Sequence, residues 1–489
     1  MSDWTPAVFL DPRSAEPVYL QIAHALMREI HRGRFRPGDA LPGYRSLAEQ
    51  LGVSRNTVMA AYAELRSEGW LTSTPGAGSS VARRLPAHLP APAEAPAPPA
   101  DGVPHGIGFD LGGEPPAPAA EARRPVLEVA SGVPDPRLVP SAVLARAYRR
   151  ALAAGRDALA AGEAQGHPLL RQALSRMLSG TRAIATAPER VLVTRGSQMA
   201  IYLVAQALFA PGDAVAVEAL GGRGAWEAFA RAGARCLPVP VDGDGISIDE
   251  LERVLAATPL RAVLVTPQRQ YPTLAVLSAG RRTRLLDLAA AHRFAVLEVD
   301  QDSEFQFEGR PLAPLAAMDR AGVVVHVGTL SKIFSPDLRL GFVSGPAPLL
   351  RRMKEARALL DRHGDPALER AMAELMDEGE LQRHLNRMVQ VYRRRRDALC
   401  GALRAELGGR VSVDPPAGGL ALWLRTRDGL DVDAWAARAL ERGVAFQPGR
   451  RFAFGGGPVA GLRIGFANYA ESELEEVARR MRSALGEGP

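Results

Sequence analysis

The sequence predicts an α/β protein: a small helical N-terminal unit ending in a hairpin, a large domain around a mostly parallel sheet, and a smaller C-terminal unit. Three observations carry this. Residues 85–107, LPAHLPAPAEAPAPPADGVPHGI, are a Pro/Ala-rich break that cannot sustain helix or sheet hydrogen bonding and reads as an extended spacer. Before it, two apolar-striped helical patterns flank a short turn. After it, short valine-rich runs recur, most followed by a turn and a helical pattern. The 489 residues, 47% of them hydrophobic, exceed one ordinary domain. The expected division is residues 1–84, a linker over 85–124, a large domain over 125–380 and a small one over 381–489.

In the first unit, VYLQIAHALMREIHRG places Leu20, Ala23, Met27 and Ile30 on one face of a helix that Gly33 stops. SLAEQLGVSRNTVMAAYAELRSEGWL then holds two helices around the turn Leu51-Gly52-Val53. Ser54 is the expected N-cap, its hydroxyl accepting from a free backbone N–H, and Arg55, Asn56 and Thr57 open the second helix. In a helix-turn-helix these leading positions enter the major groove. GWLTSTPGAGSSVA alternates around Pro75-Gly76-Ala77-Gly78, the pattern of a hairpin wing. Residues 1–84 carry ten arginines against eight acidic residues, so bulk charge discriminates little between a DNA-binding and a protein-binding module. Local placement favours DNA, because Arg28, Arg32, Arg34 and Arg36 cluster while Arg45 and Arg55 flank the turn.

The stretch LPGYRSLAEQLGVSRNTVMAAYAELRSEGWLTSTPGAGSSV resembles the winged helix-turn-helix of GntR-type bacterial transcription regulators. Leu41, Pro42, Arg45, Val53, Ser54, Arg55, Thr57, Val58, Glu68, Gly69, Gly76 and Gly78 match that family's pattern; Gly43 stands where serine is usual. The resemblance implies binding to double-stranded operator DNA, with Arg45 and Arg55 on phosphates or bases and the wing glycines Gly76 and Gly78 permitting close backbone approach.

The chain as a whole carries a formal net charge of +6, which permits a nucleic-acid partner without establishing one. Cys236 and Cys400 stand far apart, in no metal-ligand spacing, so neither a disulfide scaffold nor a metal site is expected and a reducing cytoplasm fits. The start lacks a basic stretch followed by an apolar one. No strongly apolar, charge-free run reaches membrane-spanning length, and no membrane association is expected.

In the large remainder, RVLVTRGS, DAVAVEAL, RAVLVTP, FAVLEVD and VVVHVGTL have the rhythm of βα crossovers around a buried sheet. Ligands of such sheets bind at the carboxyl ends of the strands. Gly196-Ser197 follows one run and Thr329-Leu330-Ser331-Lys332 another; Asp300 and Arg463 lie at the end or inside of others. A phosphorylated aldehyde such as pyridoxal phosphate would suit this set. Gly196 and Ser197 at a helix N-terminus, with Thr329 and Arg339, would hold phosphate, and Lys332 would form an imine. A nucleotide or other anion site is an alternative, although the glycine order matches neither a P-loop nor a dinucleotide fingerprint, and a solvated surface loop is another.

Residues 125–489 resemble the fold-type I aminotransferase-like domain of MocR/GabR-type regulators, which carry it behind a GntR-type DNA-binding domain. TRGSQMA, TPQRQYPT, EVDQDSEF, GTLSKIFSPDLRLGF and LRIGFA occur in that family's order and approximate spacing. The resemblance implies a large α/β domain with a small α+β domain, pyridoxal phosphate as cofactor and a homodimer. It makes Lys332 the Schiff-base lysine, Thr329 and Arg339 phosphate ligands, and Arg463 the arginine that receives an amino acid's carboxylate.

Departures from the family pattern bear on chemistry. Aligned through Asp302-Ser303-Glu304-Phe305, Val299 takes the place of the aspartate that faces the pyridine nitrogen, and Gln301 that of the tyrosine facing the ring hydroxyl. Asp300 matches the neighbouring aspartate. Gly222 replaces an aromatic that lies by the cofactor, and Ala161 a tyrosine. Valine cannot favour a protonated ring nitrogen, so turnover should suffer more than binding.

The expected function is therefore a DNA-binding regulator whose larger domain senses pyridoxal phosphate or a small amine or amino acid. The alternative is a pyridoxal-phosphate-dependent aminotransferase with an accessory DNA-binding domain. His167, His292, His326 and His384 form no metal-ligand pattern, Arg393 to Arg396 reads as a solvated helix face, Asp302-Ser303-Glu304 as a structural segment, and Cys400 as a small core residue.

Overall fold

A computed structural model describes residues 10, 14, 16–74, 78–86, 126–130, 132–154, 162–310, 312–427 and 429–485. Gly76, Ala161 and nearly all of the expected linker lie outside the described residues. The chain divides into two compact units, 1–118 and 119–489.

In the first unit, helices α1 (Val18–His31), α2 (Tyr44–Leu51) and α3 (Arg55–Ser67) precede the antiparallel strands β1 (Leu71–Thr74) and β2 (Gly78–Val81). Gly52 ends α2 in the left-handed region at φ 65°, where a side chain would be strained. Two residues later the Ser54 hydroxyl accepts from the Thr57 N–H and caps α3. The core gathers Ile22, Leu26, Leu47, Val58, Tyr62, Leu65 and Trp70. The buried face of α1 is Ile22, Ala23, Leu26 and Ile30; Leu20 and Met27 are only half-buried. That helix has more apolar residues than one face holds, and packing against α3 selects among them. Arg32 and Arg34 both pair with the buried Glu29, at 3.3 and 2.8 Å, so half of the expected arginine cluster is held within the domain.

In the second unit, seven strands form one sheet: β3 (Val191–Thr194), β4 (Ala214–Glu218), β5 (Arg235–Val239), β6 (Ala262–Val265), β7 (Ala295–Val299), β8 (Val324–Thr329) and β9 (Gly341–Ser344), in the order β3-β9-β8-β7-β6-β4-β5. Only β9 runs antiparallel to its neighbours. Both faces are covered, which explains the near-continuous valine runs. Leu297, Val299 and Val327 pack with α4 (Gly196–Leu208), α5 (Arg223–Arg231) and α8 (Ala347–Leu360), and Val263, Val265 and Val296 pack with α6 (Ile248–Ala257) and α7 (Ala279–His292). A second, antiparallel sheet joins β10 (Val411–Val413), β11 (Ala421–Thr426), β13 (Gly461–Gly465) and β12 (Gln447–Pro448), in that order. It shares a core with helix α9 (Glu380–Leu407).

On α9 the run Arg393 to Arg396 is not one solvated face. Arg393 and Arg394 are exposed, but Arg395 and Arg396 are buried. Arg395 pairs with Asp135 at 2.9 Å, and Arg396 pairs with Glu308 at 2.7 Å while its guanidinium lies 5.2 Å from the Phe307 ring centroid. Four consecutive helical residues cover every direction around the axis, so two of them had to meet protein.

Candidate functional site

The carboxyl ends of the central strands open into a cavity of about 360 Å³, lined among others by Ser197, Gly222, Val299, Gln301, Lys332 and Arg463. Each residue is brought there by its place in an element: Val299 ends β7, Lys332 stands in the turn after β8, Ser197 is in the first turn of α4, and Arg463 projects from β13.

Lys332 Nζ donates to Gln301 Oε1 at 3.2 Å and stands 4.0 Å from Asp302 Oδ2. Burial pushes the Lys332 amine below the ordinary lysine value, and Asp302 opposes that shift. Burial would raise the Asp302 carboxyl, but Lys332, Arg269 and Arg463 together hold it low. Asp302 is thus a counter-ion of the site, beyond the structural role expected for its segment. Asp300, two residues earlier, is bonded instead by Arg182 and Ser303.

Arg463 is almost fully buried, and its Nε has no hydrogen-bond partner; the guanidinium lies over the Tyr271 ring, 4.9 Å from its centroid. A buried cation with an unused donor on a cavity wall is suited to an anionic ligand group. Tyr271 and Gln198, whose Nε2 donates to the Gly224 carbonyl at 2.9 Å, are lining residues that sequence reasoning passed over. Both sit inside the recognised segments TPQRQYPT and TRGSQMA, the signal that would have found them.

At the other end, Gly196 opens α4 at φ 80° and Arg339 stands against it, 3.7 Å from where a Gly196 Cβ would lie, with Nη2 donating to the Arg195 carbonyl at 3.2 Å. The Arg339 side chain is exposed. Thr329 is buried, and its hydroxyl donates to the Leu340 carbonyl at 3.0 Å while accepting from the Ser331 N–H. This hydroxyl braces the Lys332 turn and does not line the cavity.

In the first unit Arg45, Ser54, Arg55 and Asn56 are exposed. Arg55 and Asn56 open α3, while the Ser54 and Thr57 hydroxyls share a 2.8 Å hydrogen bond. Gly78, at φ 86°, begins β2 directly after the wing tip. Arg66 ties α3 to the wing by donating to Tyr44 and Ser73, each at 3.0 Å.

Residues 18–81 match the family of bacterial regulatory proteins of the gntR type, and residues 124–481 match aminotransferase class I and II. Over 97% of its length the chain is 31% identical to 95% of the probable rhizopine catabolism regulatory protein MocR of Rhizobium meliloti. The chain belongs to the MocR/GabR-type regulators. A second member of this group, the HTH-type transcriptional regulator TauR of Rhodobacter capsulatus, is 31% identical over 91% of each chain. The aminotransferase-like domain of the regulator is also similar to LysN, an α-aminoadipate aminotransferase from Thermus thermophilus solved with N-(5'-phosphopyridoxyl)-L-leucine. That likeness has a TM-score of 0.69 and 32% identity over 74% of this chain and 93% of LysN. The regulator therefore joins a DNA-binding module to a domain with the fold of pyridoxal-phosphate-dependent aminotransferases. Among the described residues, no helix is long and apolar enough to cross a membrane.

The residues present fit pyridoxal phosphate at its phosphate and at its aldehyde. The start of α4 with Arg339 suits the phosphate, and the Lys332 amine suits the aldehyde. Val299, aligned with the aspartate that faces the ring nitrogen in the family, lines the cavity and offers no acceptor.

Proposed function

We propose that the protein binds operator DNA through residues 1–84 and that residues 125–380 and 381–489 form a sensor that holds pyridoxal phosphate and responds to a small amine or amino acid, with little or no turnover. The observation that carries this reading is the cavity itself: an Arg463 whose Nε has no hydrogen-bond partner and a lysine in place for capture, with Val299 where turnover would want a carboxylate. When bound, pyridoxal phosphate supplies an aldehyde that captures amines and a ring that withdraws electrons from what is captured.

Lys332 would hold the cofactor through its Nζ. Ser197, the first N–H groups of α4 and Arg339 would take the phosphate, with Thr329 holding the Lys332 turn in place. Arg463 would receive the carboxylate of an amino acid, oriented by the Tyr271 ring beneath it. At the DNA end, Arg45 and Arg55 would contact phosphates or bases, Ser54 and Thr57 would fix the start of α3, Asn56 would face a base, and Gly76 and Gly78 would let the wing approach the backbone.

The reading further includes a cytoplasmic homodimer. It is tested by an absorption spectrum of the purified protein with and without added pyridoxal phosphate. A visible band in the wild type that is lost in Lys332→Ala supports it, and no Lys332-dependent band at high cofactor concentration rejects the cofactor. Sedimentation of the same samples tests the dimer.

A further inference from the structure

Beyond its leading end, the most exposed strip of α3 is apolar, with the charged Arg66 beside it. Val58, Ala61, Tyr62 and Leu65 point into the domain core, while Asn56, Met59, Ala60 and Ala63 share the exposed side. At 3.6 residues per turn these four form one continuous strip. Met59 is 41% exposed, and Arg66, two turns further on, is bonded to Tyr44 and Ser73. Arg55 at the head of the strip and the wing beside the helix mark the same surface as the DNA face, where a long apolar side chain can meet an apolar group of the groove.

The floor of the major groove offers one such group. Each base pair presents hydrogen-bond donors and acceptors at its edge, and the one methyl group among them is the C5-methyl of thymine. Alanines at 60 and 63 carry the smallest side chains after glycine, so the helix can seat deeply and bring Met59 to the bases. We propose that Met59, flanked by Ala60 and Ala63, reads thymine methyl groups in each operator half-site and thereby specifies A·T pairs next to the position faced by Asn56. This rests on the DNA-binding reading of α3 and adds the chemistry by which it chooses a sequence.

The test uses the full chain. A random duplex library is selected for binding, and the selected duplex is then remade with each thymine replaced in turn by deoxyuridine, which keeps base pairing and removes only the methyl. At one or two thymines per half-site the wild type should bind the uracil duplex about fourfold more weakly, the effect of one buried methyl-sized group. Met59→Ser should bind the thymine duplex more weakly and lose the thymine-to-uracil ratio, with its thermal midpoint and the salt dependence of binding unchanged because no phosphate contact is removed. Arg55→Ala should weaken both duplexes and keep the ratio. Equal binding of every uracil duplex by the wild type, an intact ratio in Met59→Ser, or a selected half-site without thymine would overturn the methyl contact. Failure to select any duplex would overturn the DNA-binding reading beneath it.

Discussion

Val299, the last residue of β7, and Asp300, which follows it, serve different surroundings: Val299 lines the cavity with Lys332, while Asp300 is bonded by Arg182 and Ser303. Side chains alternate across a strand, so a carboxylate one position away cannot substitute at the cavity wall. An amino acid bound with pyridoxal phosphate should therefore exchange its α-proton slowly or undetectably in the wild type. Exchange into deuterated buffer, followed by proton NMR, checks this; rapid loss of the α-proton signal would show that the ring works without a partner at position 299.

Lys332 must be neutral to capture an aldehyde. Because burial lowers its pKa while Asp302 pulls it back up and Arg463 lowers it further, cofactor uptake should rise as pH climbs through a midpoint below that of a free lysine. Asp302→Asn should shift the midpoint to lower pH, and Arg463→Gln should shift it upward. Stopped-flow absorbance across a pH series measures both, and an unmoved midpoint in Asp302→Asn would remove that residue from the site.

Gly341 lies against Gly196, where an added Cβ would come within 2.7 Å of the Gly196 carbonyl carbon and 2.9 Å of its Cα. Backbone cannot move aside as a side chain can, so Gly341→Ala should destabilise the domain by about 1–3 kcal/mol and disturb the start of α4. Gly222 is the contrasting control: nothing lies within 4 Å of its added Cβ, and Gly222→Ala should leave the thermal midpoint unchanged. Thermal unfolding of the two variants, with cofactor uptake as a second readout, separates them.

Arg55 is exposed at the head of α3 and supports no core contact. Arg55→Ala should weaken operator binding by about 1–3 kcal/mol, with the cofactor band and thermal midpoint of the large domain intact. Anisotropy titrations at several salt concentrations give the measurement, and undiminished affinity across the series would reject the contact.

Much of the site was legible because its residues lie in short segments whose order is readable along the chain. Lys332, Ser197 and Arg463 converge from three such segments. What escaped depended on direction. The Thr329 hydroxyl, read from the resemblance as a phosphate ligand, also donates to the Leu340 carbonyl, a partner eleven residues away that only the return of the chain into β9 provides. Asp302 looked structural until the turn after β7 aimed its carboxylate at Lys332. Arg395 and Arg396 looked solvated because their partners Asp135 and Glu308 are remote in sequence.

The sequence by itself determined the two-part organisation, the Ser54-capped helix of the first unit and the βα rhythm of the larger domain, since apolar period, caps and turn residues are local properties of the chain. Only the tertiary structure decided which charges are paired and which remain unused. Arg463 Nε is left without a partner while Arg182 meets Asp300, because pairing depends on distances between groups far apart in sequence, and those exist only once the sheets have closed around the cavity.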